Sequence, residues 1–378
     1  MYIPENLRFL PDGLTSYDMS RLARSGIQNL EPYEPGKPIE EVQRELGLKR
    51  VYKLASNENP LGPSPKAITA LKKALRNISR YPDGSCYYLK KKLAKKLKVN
   101  PENLIFGNGS DELISIAVLT FLNEDEEAIV AEPTFLEYRL IVEAFGRRVK
   151  TIPSLNLRYD LDGMKRAITD KTKIIFIANP DNPTGTYITD KQLDRFLDGL
   201  PDNVMVVIDE AYNEFVDVKD FPKTMGYLDE GNILIFRTFA KAYGLAGLRL
   251  GYCVGRAEFI DCMNRVRQPF NVNALAQVAA LAAVDDVEYL KKTRATVLKG
   301  KKYLYRNLDK MGLSYVPSAT NFILVDVGGD GRKLFERMLK YGVIIRDMKA
   351  YKLDNYIRVT VGTEAENRKF IKALEKIL

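Results

Sequence analysis

Hydrophobic and polar positions alternate along the chain with two periods. Segments with apolar residues three and four positions apart predict helices, and short apolar runs rich in β-branched residues predict strands. The two kinds of segment alternate along the chain. The predicted helices are 65–77, 85–97, 110–122, 135–145, 160–168 and one that begins with the Thr189–Gln192 capping box. The predicted strands are 104–106, 128–131, 173–178, 204–208, 232–236 and 251–254. This alternation is typical of an α/β fold with a mostly parallel sheet covered by helices.

After residue 271 the pattern changes. A long helical region runs to residue 311 with a break at Asp285–Asp286. Strand-like and helical stretches then follow at 321–327, 332–341, 343–346, 356–361 and from residue 364. We therefore expect a smaller α+β domain. The predicted division is residues 1–50 as an N-terminal arm and part of the small domain, 51–271 as a large domain and 272–378 as a small C-terminal domain.

The N-terminal arm is predicted to be extended. Pro32–Pro38 holds three prolines and one glycine in seven residues, which disfavours a helix. No basic region followed by an apolar block is found near the N-terminus, so no signal peptide is expected. No apolar run reaches 18 residues, so we expect no membrane partner.

Composition narrows the chemistry. Among 378 residues there is no histidine, which excludes Ser-His-Asp chemistry, a histidine base and histidine-ligated metals. The three cysteines, Cys86, Cys253 and Cys262, share no metal-type spacing and are expected to be reduced thiols of a cytoplasmic protein without a metal. Hydrophobic content of 46% and charged content of 28% fit a globular protein with a large core.

The formal net charge of +9 raises the question of nucleic-acid binding. Six lysines fall between residues 90 and 98, and Leu89, Leu93 and Leu97 lie on the opposite face of the predicted helix. Aromatic side chains are not interleaved with these lysines. A solvated helix face is therefore favoured over a nucleic-acid partner.

One lysine stands in unusual surroundings. The stretch Phe236–Gly251 reads FRTFAKAYGLAGLRLG, in which Lys241 lies among small and apolar residues and Arg249 follows eight positions later. Poor solvation lowers the pKa of a lysine amine, and a neutral amine forms a Schiff base with a carbonyl. An arginine fork suits a phosphate, so a phosphate-bearing aldehyde such as pyridoxal phosphate is a candidate ligand. On this stretch alone, an ordinary surface lysine in a loop is an equally good interpretation.

Three further loops follow predicted strands, where ligands of an open parallel sheet bind. Gly107–Glu112 opens a helix, whose N-terminus attracts phosphate. Asn179–Gly185 is stiffened by two prolines and presents Asn182. Asp209–Tyr212 places a carboxylate directly after an apolar strand, where it would keep a ring nitrogen protonated. Each loop alone has a plain explanation, as a common glycine-rich turn, a simple turn or a helix cap.

Taken together in this order, these features resemble the fold-type I pyridoxal-phosphate-dependent aminotransferases of class I/II. The matching motifs are NPTG at 182–185, DEAY at 209–212, Lys241, Arg249 and RVTVG at 358–362. Within that family, the stretches PYEPGKPIEEVQRELGL, KLASNENPLGPSP, RYPDG, GNGSDEL, VIIRDM and YIRVTVGTEAEN are most similar to the histidinol-phosphate aminotransferase group. The resemblance runs from about residue 20 to the C-terminus.

The resemblance implies roles for individual residues. Lys241 would hold the cofactor covalently and move the substrate proton, Asp209 would pair with the pyridine nitrogen, and Tyr212 would bond the phenolic oxygen. Asn182 would share that oxygen, Phe135 would stack on the ring, and Tyr81 would reach the phosphate from a neighbouring subunit of a homodimer. The other implied phosphate ligands are Ser110, Asp111, Thr238 and Arg249. The implied substrate-binding residues are Tyr33, Asn182, Arg346 and Arg358.

Three positions depart from the pattern of the family. Ala240 stands where a phosphate-binding serine is usual, Phe135 stands where tyrosine is common, and Lys352 replaces a frequent glycine. Ala240 would cost one hydrogen bond to the phosphate, and Phe135 would keep the stacking but lose the hydroxyl. Lys352, close to the substrate arginines, bears on fine specificity more than on the reaction.

The expected reaction is transamination of histidinol phosphate with 2-oxoglutarate, giving imidazole acetol phosphate and glutamate in histidine biosynthesis. Two alternatives keep the fold and cofactor: an aminotransferase for aromatic amino acids and a phosphothreonine decarboxylase. A third is a regulator without catalysis, but no helix-turn-helix pattern is found before Val51. Arg346 in a purely structural ion pair with Asp347 or Glu364 would leave one anion site and favour an aromatic substrate.

Overall fold

The computed structural model describes residues 24–27 and 30–378. Its strands are β1 (Tyr52–Lys53), β2 (Leu104–Gly107), β3 (Glu127–Glu132), β4 (Arg148–Pro153), β5 (Thr172–Ala178), β6 (Met205–Asp209), β7 (Ile233–Thr238), β8 (Gly251–Gly255), β9 (Tyr315–Val316), β10 (Phe322–Asp326), β11 (Val343–Ile344), β12 (Arg346–Asp347) and β13 (Tyr356–Thr360). Its α-helices are α1 (Ile39–Leu46), α2 (Pro65–Ala74), α3 (Tyr87–Leu97), α4 (Ser110–Phe121), α5 (Leu136–Ala144), α6 (Leu161–Arg166), α7 (Asp190–Leu197), α8 (Ala257–Val266), α9 (Ala274–Ala283), α10 (Val287–Lys310), α11 (Gly331–Lys340) and α12 (Glu364–Ile377).

A seven-stranded sheet forms the centre of the molecule, in the order β2-β8-β7-β6-β5-β3-β4. Only β8 runs antiparallel to its neighbours, so the predicted mostly parallel sheet is confirmed. Alternate residues of β5 face opposite sides: Ile175 and Ile177 pack in the core with α3 and α9, whereas Ile174 and Phe176 pack with α4 and α5. A strand buried on both faces requires the continuous apolar run that the sequence contains.

A second, antiparallel sheet of order β12-β13-β10-β9 lies in the C-terminal part. It shares a core with α11 and α12, to which Val42 of α1 also contributes. The short strand β1 pairs in parallel with β11, and this pairing brings residues just after the arm to the C-terminal part. Helix α9 packs in the core of the large sheet, and the exact domain boundaries stay a prediction.

Most predicted elements are confirmed within a few residues, including the capping box of Thr189 and Gln192 at α7. The break at Asp285–Asp286 separates α9 from α10. Five elements were not predicted: α1, α8, β1, β4 and β9. The expectations about residues 1–23, 28 and 29 lie outside the described residues.

Two lysines of α3, Lys92 and Lys96, have polar partners within the protein. Lys92 donates to the carbonyl of Leu281 and pairs with Asp285, and Lys96 donates to the carbonyl of Val284. These contacts fasten α3 to the C-terminal end of α9, where cations are favoured. Two of the six lysines between residues 90 and 98 are thus engaged in packing. They do not face outward, as lysines of a nucleic-acid-binding surface would.

None of the helices within the described ranges combines the length and apolarity that crossing a membrane demands.

Cys86 and Cys253 are buried free thiols, and Cys262 is an exposed one. In the described part of the chain, histidine, cysteine and acidic residues form no cluster able to hold a metal ion.

Candidate active site

The carboxyl ends of β5, β6 and β7 and the N-terminus of α4 open into one cavity of about 230 Å³. Twelve predicted site residues line it: Tyr33, Ser110, Asp111, Phe135, Asn182, Asp209, Tyr212, Thr238, Lys241, Arg249, Arg346 and Arg358. Tyr81 does not line the cavity. It is 85% exposed and stacks on Phe270, with ring centroids 4.9 Å apart.

Lys241 lines this cavity together with Tyr212. Its Nζ donates to the carbonyl of Ser56 at 3.3 Å and lies 5.8 Å from the centroid of the Tyr212 ring. Burial lowers the pKa of the Lys241 amine to about 8, and the positive charge of Arg358 acts in the same direction. The predicted fall in this pKa agrees with these surroundings. The Lys241 amine therefore loses its proton more readily than an ordinary lysine amine.

Asp209 is the last residue of β6 and is buried. The hydroxyl of Tyr138 donates to its Oδ2 at 2.8 Å, and the backbone N–H of Ala211 donates to its Oδ1 at 3.0 Å. Burial raises the pKa of this carboxyl to about 6, which the two hydrogen bonds partly oppose. No cation pairs with Asp209 within the described ranges of the chain. Such a carboxylate fits a protonated ring nitrogen placed in the cavity.

Tyr138 is a site residue that the sequence analysis missed. It is the third residue of α5, packs its ring against Phe176 with centroids 5.0 Å apart, and lines the cavity. Its contact with Asp209 spans 71 positions of sequence. Its only sequence signal is its place three residues after Phe135, one turn along the same helix face.

Arg358 and Asn182 meet on another wall of the cavity. Arg358 Nη1 donates to Asn182 Oδ1, and Arg358 Nη2 donates to the carbonyl of Ala55 at 2.9 Å. The Nε of Arg358 is buried without a partner in the described structure. No carboxylate pairs with this guanidinium among the residues described, so its charge is available to an anionic ligand.

Arg346 lies directly opposite Arg358 in the β12–β13 register. Its Nη2 donates to the carbonyl of Glu34 at 2.6 Å, and its guanidinium carbon lies 5.6 Å from the centroid of the Tyr33 ring. The alternative in which Arg346 pairs with Asp347 or Glu364 does not apply. Asp347 pairs with Arg332 at 3.2 Å, and Glu364 pairs with Lys299 and Arg368.

The N-terminus of α4 and Arg249 form a cradle suited to a phosphate. Gly109 precedes α4 with φ +86, and a Cβ there would lie 2.5 Å from Arg249 Nη2. Arg249 pairs with Asp111 at 2.8 Å, and Thr238 Oγ1 accepts from the N–H of Ala240 at 3.0 Å. Unpaired N–H groups at a helix start together with a guanidinium attract an anion.

The structure defines the contacts of two departures from the family pattern, Phe135 and Lys352. Phe135 packs edge-on against Tyr138 with centroids 5.5 Å apart, and it presents no hydroxyl to the cavity. Lys352 takes a left-handed conformation with φ 58, which accounts for glycine being frequent there. Its Nζ pairs with Glu132 at 2.8 Å, outside the cavity lining.

A family model describing aminotransferases of class I and II matches residues 49–374. The chain belongs to the class I and II aminotransferases. This aminotransferase is 50% identical over 357 residues to histidinol-phosphate aminotransferase of Moorella thermoacetica, covering 94% of this chain and 92% of the relative. It is 44% identical to histidinol-phosphate aminotransferase of Caldicellulosiruptor saccharolyticus, covering 94% and 99%.

Solved structures give the same result for the aminotransferase fold. Histidinol-phosphate aminotransferase from Sinorhizobium meliloti in complex with pyridoxal-5'-phosphate superposes with a TM-score of 0.87 at 30% identity. The match covers 93% of this aminotransferase and 96% of that chain. The fold-type I architecture expected from the sequence is therefore confirmed.

Proposed function

We propose that this aminotransferase uses pyridoxal phosphate to transfer the amino group of histidinol phosphate to 2-oxoglutarate, as a step in histidine biosynthesis. The observation that carries the proposal is that Arg346 and Arg358, opposite each other in the β12–β13 register, both line the cavity that also holds Lys241. The names of the relatives and the pyridoxal-phosphate complex of a neighbour support it.

The donor set of the cavity fits pyridoxal phosphate. Lys241 would bind its aldehyde carbon, Asp209 its ring nitrogen, and the start of α4 with Arg249 its phosphate. Asn182 and Tyr212 would bond its phenolic oxygen, and Phe135 would cover its ring. When bound, this cofactor supplies a carbonyl that accepts the amino group and a ring that withdraws electrons from the Cα–H bond.

The protein's own side chains would then handle protons and charges. The Lys241 amine, with a pKa lowered to about 8, removes the proton from the substrate Cα. Asp209 stabilises positive charge on the ring nitrogen, in a buried position where that charge interaction is strong. Neither role requires a histidine, in agreement with a sequence that contains none.

Arg346, Arg358 and Tyr33 would bind the phosphate of the amino donor. Two guanidinium groups match the two negative charges of a phosphate better than the single charge of a carboxylate. In the second half-reaction Arg358 would bind a carboxylate of 2-oxoglutarate. One site thus accepts two unlike anions in turn.

The substrate proposal is tested by measuring kcat/KM for histidinol phosphate, phenylalanine and phosphothreonine in wild type, Arg346→Ala and the surface control Arg368→Ala. We expect wild type to prefer histidinol phosphate. Arg346→Ala should lower kcat/KM for the phosphorylated substrates by roughly 100-fold, because a charge-assisted bond is lost. Arg368→Ala should leave all values unchanged. A wild-type preference for phenylalanine, or equal losses on all three substrates, would contradict the proposal.

We also propose a homodimer in the cytoplasm, in which Tyr81 of one subunit completes the phosphate site of the other. The exposure of Tyr81 and Phe270 supports an interface there, because stacked aromatic side chains on a surface favour burial.

A further inference from the structure

We infer that Asn57 is a positioning residue that fixes the direction of the Tyr212 hydroxyl proton, so that Tyr212 donates into the cavity. The inference rests on the proposed function for the identity of the group that receives this proton. Asn57 and Tyr212 are both buried, and Asn57 Nδ2 donates to Tyr212 Oη at 2.9 Å. Asn57 lies 155 positions from Tyr212 in the sequence.

The orientation of the Asn57 amide is set by Thr360 at the end of β13. Thr360 Oγ1 accepts from the backbone N–H of Asn57 at 2.9 Å and donates to Asn57 Oδ1 at 3.1 Å. With its oxygen engaged there, the amide must turn its NH₂ group towards Tyr212.

The backbone of Asn57 is held as firmly as its side chain. Asn321 Nδ2 donates to the Asn57 carbonyl at 3.0 Å, and Asn57 has a left-handed φ of 56, which asparagine tolerates better than most residues. These contacts come from β13 and from the residue before β10, both in the C-terminal part. The amide is therefore fixed before any ligand arrives.

A fixed NH₂ group determines what the tyrosine hydroxyl can do. An amide NH₂ only donates, so Tyr212 Oη accepts on that side, and its own proton must point elsewhere. Tyr212 also lines the cavity, and Lys241 lies close to its ring. Tyr212 is thus prepared as a donor to an oxygen in the cavity, which the proposed function identifies as the phenolic oxygen of the cofactor.

Donation to that oxygen has a measurable consequence. A donor stabilises negative charge on the phenolic oxygen, so the nitrogen that links Lys241 to the cofactor holds its proton less tightly. Loss of the donor should raise the pH at which the visible absorbance band of the holoenzyme changes. The same loss should lower kcat more than it raises KM for the amino donor, because the interaction concerns the cofactor.

Asn57→Asp is the decisive substitution. It keeps the shape, tolerates the left-handed backbone and retains an oxygen for Thr360, but a carboxylate can only accept. The Tyr212 hydroxyl would then donate to residue 57, away from the cavity. We expect the spectral midpoint, the pH at which the visible absorbance change of the holoenzyme is half complete, to rise by about 1 pH unit. We expect kcat to fall roughly ten-fold and KM to change less than about three-fold.

Added negative charge alone would also raise the midpoint, so the substitution is repeated in a Tyr212→Phe background. If Asn57 acts through Tyr212, the midpoint shift caused by Asn57→Asp largely disappears there. An equal shift in both backgrounds would overturn the inference. Thr360→Val should shift the midpoint in the same direction by releasing the amide, and Thr360→Ser should restore it. Identical midpoints for the two Thr360 variants would also count against it.

A cofactor-free measurement separates this inference from the proposed function. The Tyr212 Cζ chemical shift in protein labelled at tyrosine Cζ, assigned by its loss in Tyr212→Phe, reports the hydrogen bonding of the hydroxyl. It should change in Asn57→Asp even without cofactor, and an unchanged shift would contradict the inference. A wild-type protein that forms no visible band with pyridoxal phosphate would instead contradict the proposed function.

Discussion

At the residue scale, three charged side chains of the site have no partner of opposite charge among the described residues, whereas Arg249 is paired with Asp111. In the described part of the chain Asp209 pairs with no cation and Arg358 with no carboxylate, and the charge of Arg358 acts on Lys241. Lys241 was recognisable from its small neighbours in sequence. Tyr138 and Asn57 were not, because their roles come from contacts across 71 and 155 positions that no local pattern encodes.

The lowered pKa of Lys241 predicts a pH-dependent stability in the cofactor-free protein. Between the folded pKa of about 8 and the unfolded value of 10.5, the unfolded chain binds more protons, so stability rises with pH. Below pH 8 the buried ammonium destabilises the fold, by up to roughly 3 kcal/mol. Lys241→Met should therefore be more stable than wild type at pH 7, and the difference in free energy of unfolding should shrink towards pH 10. Urea titrations at several pH values measure it, and a constant difference would contradict the assignment.

Tyr138→Phe should weaken cofactor binding most at low pH. The Tyr138 hydroxyl opposes the effect of burial on Asp209, so its removal raises the pKa of that carboxyl above about 6 and leaves less carboxylate for the ring nitrogen. We expect the Kd for pyridoxal phosphate to rise roughly ten-fold at pH 6.5 and distinctly less at pH 8.5, measured by fluorescence.

Tyr159→Phe is the matched control for this prediction. Tyr159 also bonds a buried carboxylate, Asp181, but does not line the cavity, so its removal should not produce the pH trend. Equal losses for Tyr138→Phe at both pH values would mean that the hydroxyl does not act through Asp209.

At the element scale, elements with a strong period or a cap were predictable and those without were not. β5 reads as a continuous apolar run and was found. β4 is an edge strand with exposed and partly buried residues in the sequence RVKTIP, which gives no strong strand signal. α8 begins after Arg256 without a side-chain cap, so its start carries no sequence mark.

The close approach of β8 to the start of α4 predicts a strong effect of one added methyl group. A Cβ on Gly251 would lie 2.8 Å from the N of Ser110 and 2.9 Å from the carbonyl carbon of Gly109. Gly251→Ala should push the helix start away and weaken pyridoxal-phosphate binding by more than roughly ten-fold. Gly247→Ala, where an added Cβ meets nothing within 4 Å, should bind normally. Equilibrium dialysis of both variants tests this, and similar affinities would exclude the α4 start as a phosphate site.

At the scale of the whole molecule, the cavity is assembled by both sheets. The large sheet supplies Asp209 and the loop of Lys241, while β12 and β13 supply Arg346 and Arg358. The alternation of strands and helices predicted that Asp209 and the Lys241 loop lie at strand ends. Only the family resemblance indicated that Arg346 and Arg358 belong to the same site. Tyr81 is exposed and does not line the cavity of its own chain, so its proposed role depends on a second copy and could not be tested by contacts within one chain.

The proposed homodimer with shared sites makes a quantitative prediction. In the proposed dimer each site contains Lys241 of its own subunit and Tyr81 of the other subunit. A homodimer of Lys241→Ala or of Tyr81→Phe is therefore damaged at both sites. A hybrid dimer then has one site with both changes and one site with neither. Because random pairing makes about half of all dimers hybrids, each with one intact site, the mixture should regain about a quarter of wild-type activity.

Co-expression of the two variants with different affinity tags isolates the hybrids, which should show about half of wild-type activity per dimer. Tyr81→Phe keeps the ring that stacks on Phe270, so it removes the hydroxyl without disturbing the surface. Light scattering on the same samples gives the mass of the assembly. A fully active monomer, or hybrids no more active than the two parents, would show that each chain completes its own site without Tyr81 of a partner.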